Sequence, residues 1–336
     1  MKFSTIFIEE DVKENAKTVE ILNRVSAERI AYIQKVEDVF GRVKKPYLQK
    51  RESLNLFLGR KEGELVKPAP DAYGLEGDPH FYFIHAYNCI YECEYCYLQG
   101  YFDSPDIVLF VNHDEIVKEM ERVYNENANK GAVWFHAGEF SDSLSLGNIT
   151  NEFDYYWPFF KAHPNAMLEL RTKSANIKPL RDLEPLPNTV ISFSLSPEKQ
   201  IKKYDHKTAS LKGRLKAIKE LSEQGYPIGL HLDPVIYDND FLDLYTELLE
   251  HIVKAVPEST IRYISLGVVR FTKDVFLEVQ RNYPESDILT GNFIKSFDNK
   301  IRYKRPHRLW ILKQLKSLCL SFGIAEEKIY LCMENE

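Results

Sequence analysis

The chain has 336 residues, 44% hydrophobic and 28% charged, with a net charge of −6. That balance suits one large or two small globular domains with a buried core, and it argues against a bulk-basic nucleic-acid binder. No apolar run reaches the ~18–20 residues of a membrane span and MKFSTIFIEEDVKENAK does not read as a signal peptide, so a cytoplasmic, reducing setting is expected, in which clustered cysteines point to a metal site rather than disulfides.

In chain order, residues 1–35 read as a short strand, STIFIEE, and then a helical run, AKTVEILNRVSAERIAYIQKV. Residues 41–80 look irregular, with GRVKKPYLQKR and the turn formers of GLEGDPH. An alternation follows. Strand-like runs are FYFIHAY (81–87), AVWFHA (132–137), MLELRTK (167–173), TVISFSLS (189–196), PIGLHLDPV (227–235) and IRYISLGVV (261–269). Helical patterns at 113–126, 210–225, 240–256 and 273–283 separate most of them. In the third, Phe241, Leu244, Leu248, Ile252 and Ala255 recur at helical spacing, and Gly225 after the second suits a C-cap. A helix is expected over 305–320 with Pro306 in its first turn, and KIYLCM near the end reads as a strand. Near-continuous apolar strands alternating with helices argue for a parallel sheet covered by helices. The expected fold class is therefore α/β, a partial (β/α)6 TIM-like barrel. Such folds gather their chemistry at the C-terminal ends of the strands. The polar clusters HAGEFSD, RTKS and SFSLSP fall there, and a cysteine run follows the first strand.

That run, CIYECEYCYLQG (89–100), sets Cys89, Cys93 and Cys96 at C-x3-C-x2-C spacing. Thiolates suit zinc or iron–sulfur clusters. A closed zinc site wants four ligands, usually as two separate pairs, and here His80 or His85 would have to supply the fourth. Three thiolates in one loop suit an open four-iron cluster, with one iron left for a small chelating ligand. Spacing and position favour the open cluster, with zinc as the alternative.

C-x3-C-x2-C after the first strand of a partial barrel resembles the signature of the radical S-adenosylmethionine (radical SAM) enzymes. CEYCYLQ, VNHDEI, TK at 172–173, FS at 193–194, GRLKAIKELSEQGYPIGLHLDPVIY and RFTK at 270–273 are similar, in order and spacing, to spore photoproduct lyase, the radical SAM family that reverses a thymine dimer in DNA. The likeness runs from about residue 5 to the C-terminus. It implies a [4Fe–4S] cluster on Cys89, Cys93 and Cys96, S-adenosylmethionine (AdoMet) on the open iron, hydrogen abstraction by a 5′-deoxyadenosyl radical, and a one-electron reductant of flavodoxin or ferredoxin type. Nucleic acid is implied as a partner and a membrane is not.

The resemblance also implies residue roles, each with a plainer structural alternative. Lys173 aligns with a lysine at the AdoMet site, where an ammonium suits the carboxylate, but could be an ordinary surface lysine. Ser194 aligns with a serine near the ribose or methionine moiety, or caps a turn. Ser141 and Asp142 match the family's SD pair, and either would serve as a helix N-cap. Gly138, in an AGE run similar to the GGE motif of other radical SAM enzymes, would let backbone approach the AdoMet amino group. Tyr97 aligns with a radical-relay tyrosine and Tyr95 with its neighbour, though tyrosines beside a cluster also shield it. Arg302 and Tyr303 fall at the lesion pocket. The basic run Lys304, Arg305, His307 and Arg308 either contacts phosphates or starts a solvated helix, and Lys44, Lys45, Lys50 and Arg51 carry the same ambiguity.

One position departs from the family pattern. Three residues before the Asp of the SD pair, where the lyase has a hydrogen-donating cysteine, stands Glu139. A carboxylate cannot give a hydrogen atom as a thiol does. Either Tyr97 or a distant thiol, Cys332, takes that role, or the substrate is different (RNA, a nucleotide or a peptide), or Glu139 follows the GGE pattern of a distinct branch. A non-enzymatic zinc- or nucleic-acid-binding module is the remaining alternative. The expected organisation is an N-terminal extension (1–78) packed on the barrel (79–290), with a C-terminal helix and strand (291–336) closing the substrate side, all in one structural unit.

Overall fold

The computed structural model describes residues 1–45, 47, 52–70 and 77–334. Two largely parallel sheets share the chain. The larger runs Ile329–Leu331, Ile261–Val268, Ile228–Val235, Thr189–Ser194, Ala166–Thr172, Val133–His136, His80–Phe83, Val66–Pro68. Its neighbours pair in parallel except at the last position, an antiparallel edge. The sheet curves with two open edges: an α/β fold with a partial barrel. All six expected barrel strands are present, and Ile329–Leu331, inside KIYLCM, joins them.

Helices cover the outside because their apolar residues keep a 3.6 period. Phe241–Ala255 buries Phe241, Tyr245, Leu248, Leu249 and Ile252, each such side chain contributing roughly 1.5–3 kcal/mol on burial. Leu211–Gln224 starts at Ser210, whose hydroxyl accepts from Gly213 N, and ends at Gly225, whose φ of 98° only glycine adopts without strain. Arg305–Ser321 carries Pro306 in its first turn, as expected.

The smaller sheet runs Ser26–Ile33, Lys2–Glu9, Leu56–Gly59, Ile107–Phe110, Ala86–Tyr87. Only its last pairing is antiparallel. Three sequence expectations change here. The helical run after residue 15 stops at Leu22, and Ser26–Ile33 is a strand. It is a sheet edge on which only Ala27, Ala31 and Ile33 are half-buried, so its exposed polar residues imitate a solvated helix. The stretch read as irregular holds Leu56–Gly59, fully buried but four residues long, too short to show a period. The run FYFIHAY is divided: His80–Phe83 lies in the barrel and Ala86–Tyr87 in the smaller sheet. Ile84 and His85 therefore carry the chain from one sheet to the other, immediately before the cysteines.

Candidate functional site

The cysteine loop is strapped down on every side. Asn88 enters it at φ 65°, its amide donating to the Ser104 and Asp106 carbonyls at 2.7 Å each. Glu92–Cys93 pairs antiparallel with Asp205–His206. His206 Nε2 lies 2.7 Å from Glu94 Oε1, Lys207 is paired with Glu92, and Ser286 donates to Glu94. Gln99, the last residue of CYLQ, donates to the Glu94 and Cys96 carbonyls (2.8 and 3.0 Å) and accepts from Asn282 (3.0 Å). Beneath lies Arg214, wholly buried. Its guanidinium donates to Asp205 Oδ2 (2.9 Å), Thr208 Oγ1 (2.6 Å) and the carbonyls of Ser194 (2.8 Å) and Ala209 (2.9 Å). Tyr95 donates to the same Asp205, and Tyr47 donates to Cys96 from outside.

Burial and one neighbouring ammonium set the electrostatics around the sulfurs. Burial pushes the thiols of Cys89, Cys93 and Cys96 up, and nearby Lys173 works against that. Burial also opposes the Lys173 charge, but Cys93 and Asp205 more than offset it and hold its ammonium above the ordinary lysine range. Lys173 Nζ sits 5.4 Å from the centre of the Tyr95 ring. Three sulfurs from one rigid loop with an ammonium beside them fit an open iron–sulfur cluster. Both histidines expected as a fourth zinc ligand have partners within the fold. His85 Nδ1 and Nε2 are bonded to Glu152 and the Ala137 carbonyl, and His80 Nδ1 faces His136 Nε2 at 2.9 Å.

The turn after Val133–His136 brings the next set together. Gly138 packs so closely that an added Cβ would lie 3.2 Å from the Arg171 carbonyl and 3.0 Å from Ser143 Oγ. Tyr97, 40% exposed, donates its hydroxyl to Glu139, which burial pushes up and Arg171 and Lys67 pull down. Asp142 is saturated from within the fold: it accepts from Leu144 N, Ser145 N, Thr172 Oγ1 and Lys173 N at 2.7–3.0 Å. Its carboxylate therefore fastens this turn to the end of Ala166–Thr172; it is not the helix N-cap of the sequence reading, since the helix that follows, Gly147–Thr150, has Leu146 as its N-cap and no side-chain cap bond. Ser141 and Ser194 are buried at the same strand ends.

Below the mouth, the lumen is polar. Glu169 accepts from His136, His231 (2.9 Å), Tyr263 (2.5 Å), Ser192 (2.7 Å) and Arg171 (3.1 Å). Burial opposes its charge, but Arg171 and His136 hold it well below the usual carboxylate range. At the far rim, Arg270 makes two 3.1 Å bonds to Asp233 and lies 3.3 Å from Cys332 Sγ. Cys332 also donates to Asp233, and burial with that carboxylate raises the thiol to about 11. Of the chain's two cysteines outside the loop, Cys319 is buried in the Arg305–Ser321 helix and Cys332 reaches the mouth. Burial pushes the Tyr82 phenol up, with the Glu139 carboxylate adding to the rise and Arg171 opposing it.

Several other expected residues are engaged within the fold. Arg302 is 3% exposed and binds Asp298, Glu334 and the Met333 carbonyl, anchoring the tail that carries Cys332. Tyr303 is buried, its hydroxyl accepting from Tyr237 N. Arg308 also pairs with Glu334. Lys304 and Arg305 are exposed. Lys44 and Lys45 pair with Glu278 and Asp106, while Lys50 and Arg51 fall outside the described residues. Sequence reasoning missed Tyr47, Arg171, Arg214, Asp233 and Arg270. Arg171, two residues before Lys173, alternates with Glu169 along one strand face, and Arg214, Asp233 and Arg270 stand inside the runs that resemble the family, but no role was read for them.

An open parallel barrel with three cysteines looped after its first full-length strand, beside a strand-end lysine, is the architecture of the radical SAM class. A family profile described as spore photoproduct lyase matches residues 80–305. The chain belongs to the spore photoproduct lyase family. It is 27% identical over 206 residues to the spore photoproduct lyase of Bacillus subtilis (strain 168) and 24% identical over 211 residues to that of Clostridium acetobutylicum. These matches cover 60% and 62% of each chain, so they span less than two thirds of those relatives. Similar solved structures include a spore photoproduct lyase mutant with bound AdoMet and dinucleoside spore photoproduct, at TM-score 0.83 and 18% identity over 99% of both chains. Another lyase, complexed with dinucleoside spore photoproduct, aligns at TM-score 0.81 and 18% identity over 98% of both. Among the described residues, no helix is long and apolar enough to cross a membrane.

Proposed function

We propose that this chain is a cytoplasmic radical SAM enzyme that acts on a photoproduct in nucleic acid. The observation that carries the proposal is the strapped three-thiol loop with the Lys173 ammonium beside it, with the Tyr97–Glu139 bond and the Arg270–Cys332 contact near the C-terminal ends of barrel strands. Cys89, Cys93 and Cys96 would hold a [4Fe–4S] cluster, at which AdoMet, reduced through a flavodoxin- or ferredoxin-type partner, supplies the hydrogen-abstracting 5′-deoxyadenosyl radical. Lys173 binds the AdoMet carboxylate. Gly138, whose lack of a side chain keeps the turn close, and Ser141 face its amino group, while Ser194 faces the ribose or methionine part. Asp142 acts by holding the turn and Lys173 in register, and Tyr95 by shielding the cluster.

Glu139 cannot return a hydrogen atom to a product radical, and Cys332 can. Its S–H is kept protonated by burial and by Asp233. The atom goes from sulfur to the product radical, and one electron from the same reductant plus a solvent proton restores the thiol. Support for a nucleic-acid partner comes from the rim. Phe297, 94% exposed, sits in the turn between the strands Phe293–Lys295 and Ile301–Tyr303, exposed Lys295 precedes it and exposed Lys304 and Arg305 follow the second strand, and Tyr237 and Trp310 form a surface aromatic pair. Exposed aromatics with cations suit stacked bases and phosphates.

Anaerobic reconstitution should give about four irons per chain, and dithionite with AdoMet should release 5′-deoxyadenosine. Cys93→Ala should abolish both. A wild-type protein that binds one zinc and never cleaves AdoMet sinks the proposal. Glu139 favours a second reading, the same chemistry on RNA, a nucleotide or a peptide. Transfer of deuterium from a labelled thymine-photoproduct oligonucleotide to 5′-deoxyadenosine decides between them, and its absence favours the second.

A further inference from the structure

His85 lies where the chain crosses between the two sheets. The pairing of His80–Phe83 with Val133–His136 ends at Tyr82 and His136. The next carbonyl on that side, Ala137 O, has lost its strand partner, because Ala86–Tyr87 pairs in the other sheet. His85 replaces the missing donor: Nε2 is 2.9 Å from Ala137 O. Its Nδ1 is 2.9 Å from Glu152 Oε2, and both side chains are about nineteen-twentieths buried (5% and 6% exposed). The main-chain carbonyl of His85 meanwhile accepts from Phe110 N, in the smaller sheet.

A carbonyl and an ionised carboxylate both only accept, so each ring nitrogen must carry a proton. We propose that His85 is the positioning residue of the Ala137–Glu139 turn, and that its second ring proton makes that turn sensitive to pH. When one proton leaves, the carboxylate keeps the other, because the charge-assisted bond is the stronger. Nε2 then presents a lone pair to the Ala137 carbonyl, and the turn is pushed off it.

The surroundings agree. Burial opposes the His85 charge, but Glu152 and the Ala137 carbonyl more than offset it and hold the imidazole above its usual range. From the helix His113–Asn127, His113 faces the pair. Burial lowers it to about 4, so it is neutral, and its Nδ1 is 2.7 Å from the Tyr156 hydroxyl. From the helix Ala16–Leu22 come Lys17, which donates to the Asn151 carbonyl (3.2 Å), and Glu20, bound to Lys17.

The AdoMet part of this inference rests on the proposed function; the protonation part does not. In unreconstituted protein labelled with 15N-histidine, NMR should show both His85 nitrogens protonated at pH 7 and a titration midpoint above the ordinary 6.5. A singly protonated ring at pH 7 overturns the inference. In reconstituted enzyme, the AdoMet KM should rise about tenfold per pH unit above that midpoint, as a one-proton switch does. Glu152→Gln separates switch from scaffold. A glutamine amide donates to Nδ1, so a neutral ring keeps its Nε2 proton on Ala137 O and the rise should vanish. Identical pH profiles for the two proteins overturn the switch. His85→Phe, which fills the space without a donor, should raise the AdoMet KM roughly tenfold at pH 7, the worth of one buried hydrogen bond. If wild type releases no 5′-deoxyadenosine, the proposed function fails while the NMR result still judges His85.

Discussion

Arg214→Met tests whether the cysteine loop is held from beneath. Arg214 is wholly buried, and its ion pair with Asp205 has side-chain exposures of 0% and 2%. Methionine fills much of the volume but removes four hydrogen bonds and strands the Asp205 carboxylate, which keeps only Tyr95 among its side-chain donors. Breaking one side of such a pair costs about 3–5 kcal/mol, because a charge is left buried. At roughly 2–4 °C per kcal/mol, the melting temperature should fall by about 6–20 °C. Circular dichroism of the metal-free protein reads this directly. Bound iron after reconstitution should fall with it, since Asp205–His206 pairs with Glu92–Cys93. The double variant Arg214→Met, Asp205→Asn should recover most of the loss, because no unpaired charge remains. A single variant that melts within about 2 °C of wild type, less than one buried hydrogen bond is worth, would refute the strap.

At Gly267 an added Cβ would lie 2.5 Å from the Asp233 carboxyl carbon, so Gly267→Ala should displace the Asp233–Arg270 pair and lower stability by about 1–3 kcal/mol in a urea melt. The His85–Glu152 pair should stabilise most between pH 4.5 and 6.5: the raised His85 contribution is complete below 6.5 and fades as pH rises through its folded value, and the lowered Glu152 contribution is complete above 4.5 and fades as pH falls. The melting difference between wild type and His85→Phe should therefore shrink toward both pH 9 and pH 3. Phe297→Ala should leave melting unchanged, the ring being 94% exposed, yet weaken oligonucleotide binding in fluorescence anisotropy. Replacing Lys304 and Arg305 by Ala should reduce the salt dependence of that binding by about two counterions. In D2O, wild type should place solvent deuterium in the product, and Cys332→Ala should lose that label while still forming 5′-deoxyadenosine.

What could be read from the chain depended on whether the signal was local. Cys89, Cys93 and Cys96 declare themselves by spacing, and strands such as Ile228–Val235 by near-continuous apolar runs. Leu56–Gly59 is equally buried but too short to show a period. Phe153–Ala162 forms a helix although Pro158 lies within it, because Tyr156, Trp157, Phe159 and Phe160 are driven into the core. The supports of the site were the least visible. Arg214 is one cation in a helical pattern until the fold brings Asp205, Thr208 and Ser194 around it. Arg302 looked like a ligand-facing residue because nothing in its neighbourhood of sequence shows that Glu334 will claim it. Cysteine chemistry was legible because its residues are neighbours in the chain; the ion pairs that aim it are not.

The smaller sheet also constrains how the chain is made. Lys2–Glu9 is made before Ser26–Ile33 and Leu56–Gly59 and can pair with them early, but the sheet's fourth strand, Ile107–Phe110, follows the whole cysteine loop. Ala86–Tyr87 then closes the edge only against that fourth strand. Until residue 110 has emerged, the nascent sheet displays an unfinished apolar edge, a surface prone to self-association. Once it has, the same pairing event that covers the edge also pulls both ends of the loop carrying Cys89, Cys93 and Cys96 into place. Burial of this sheet edge and shaping of the cysteine loop are thus one step in synthesis, completed before most of the barrel strands have been made.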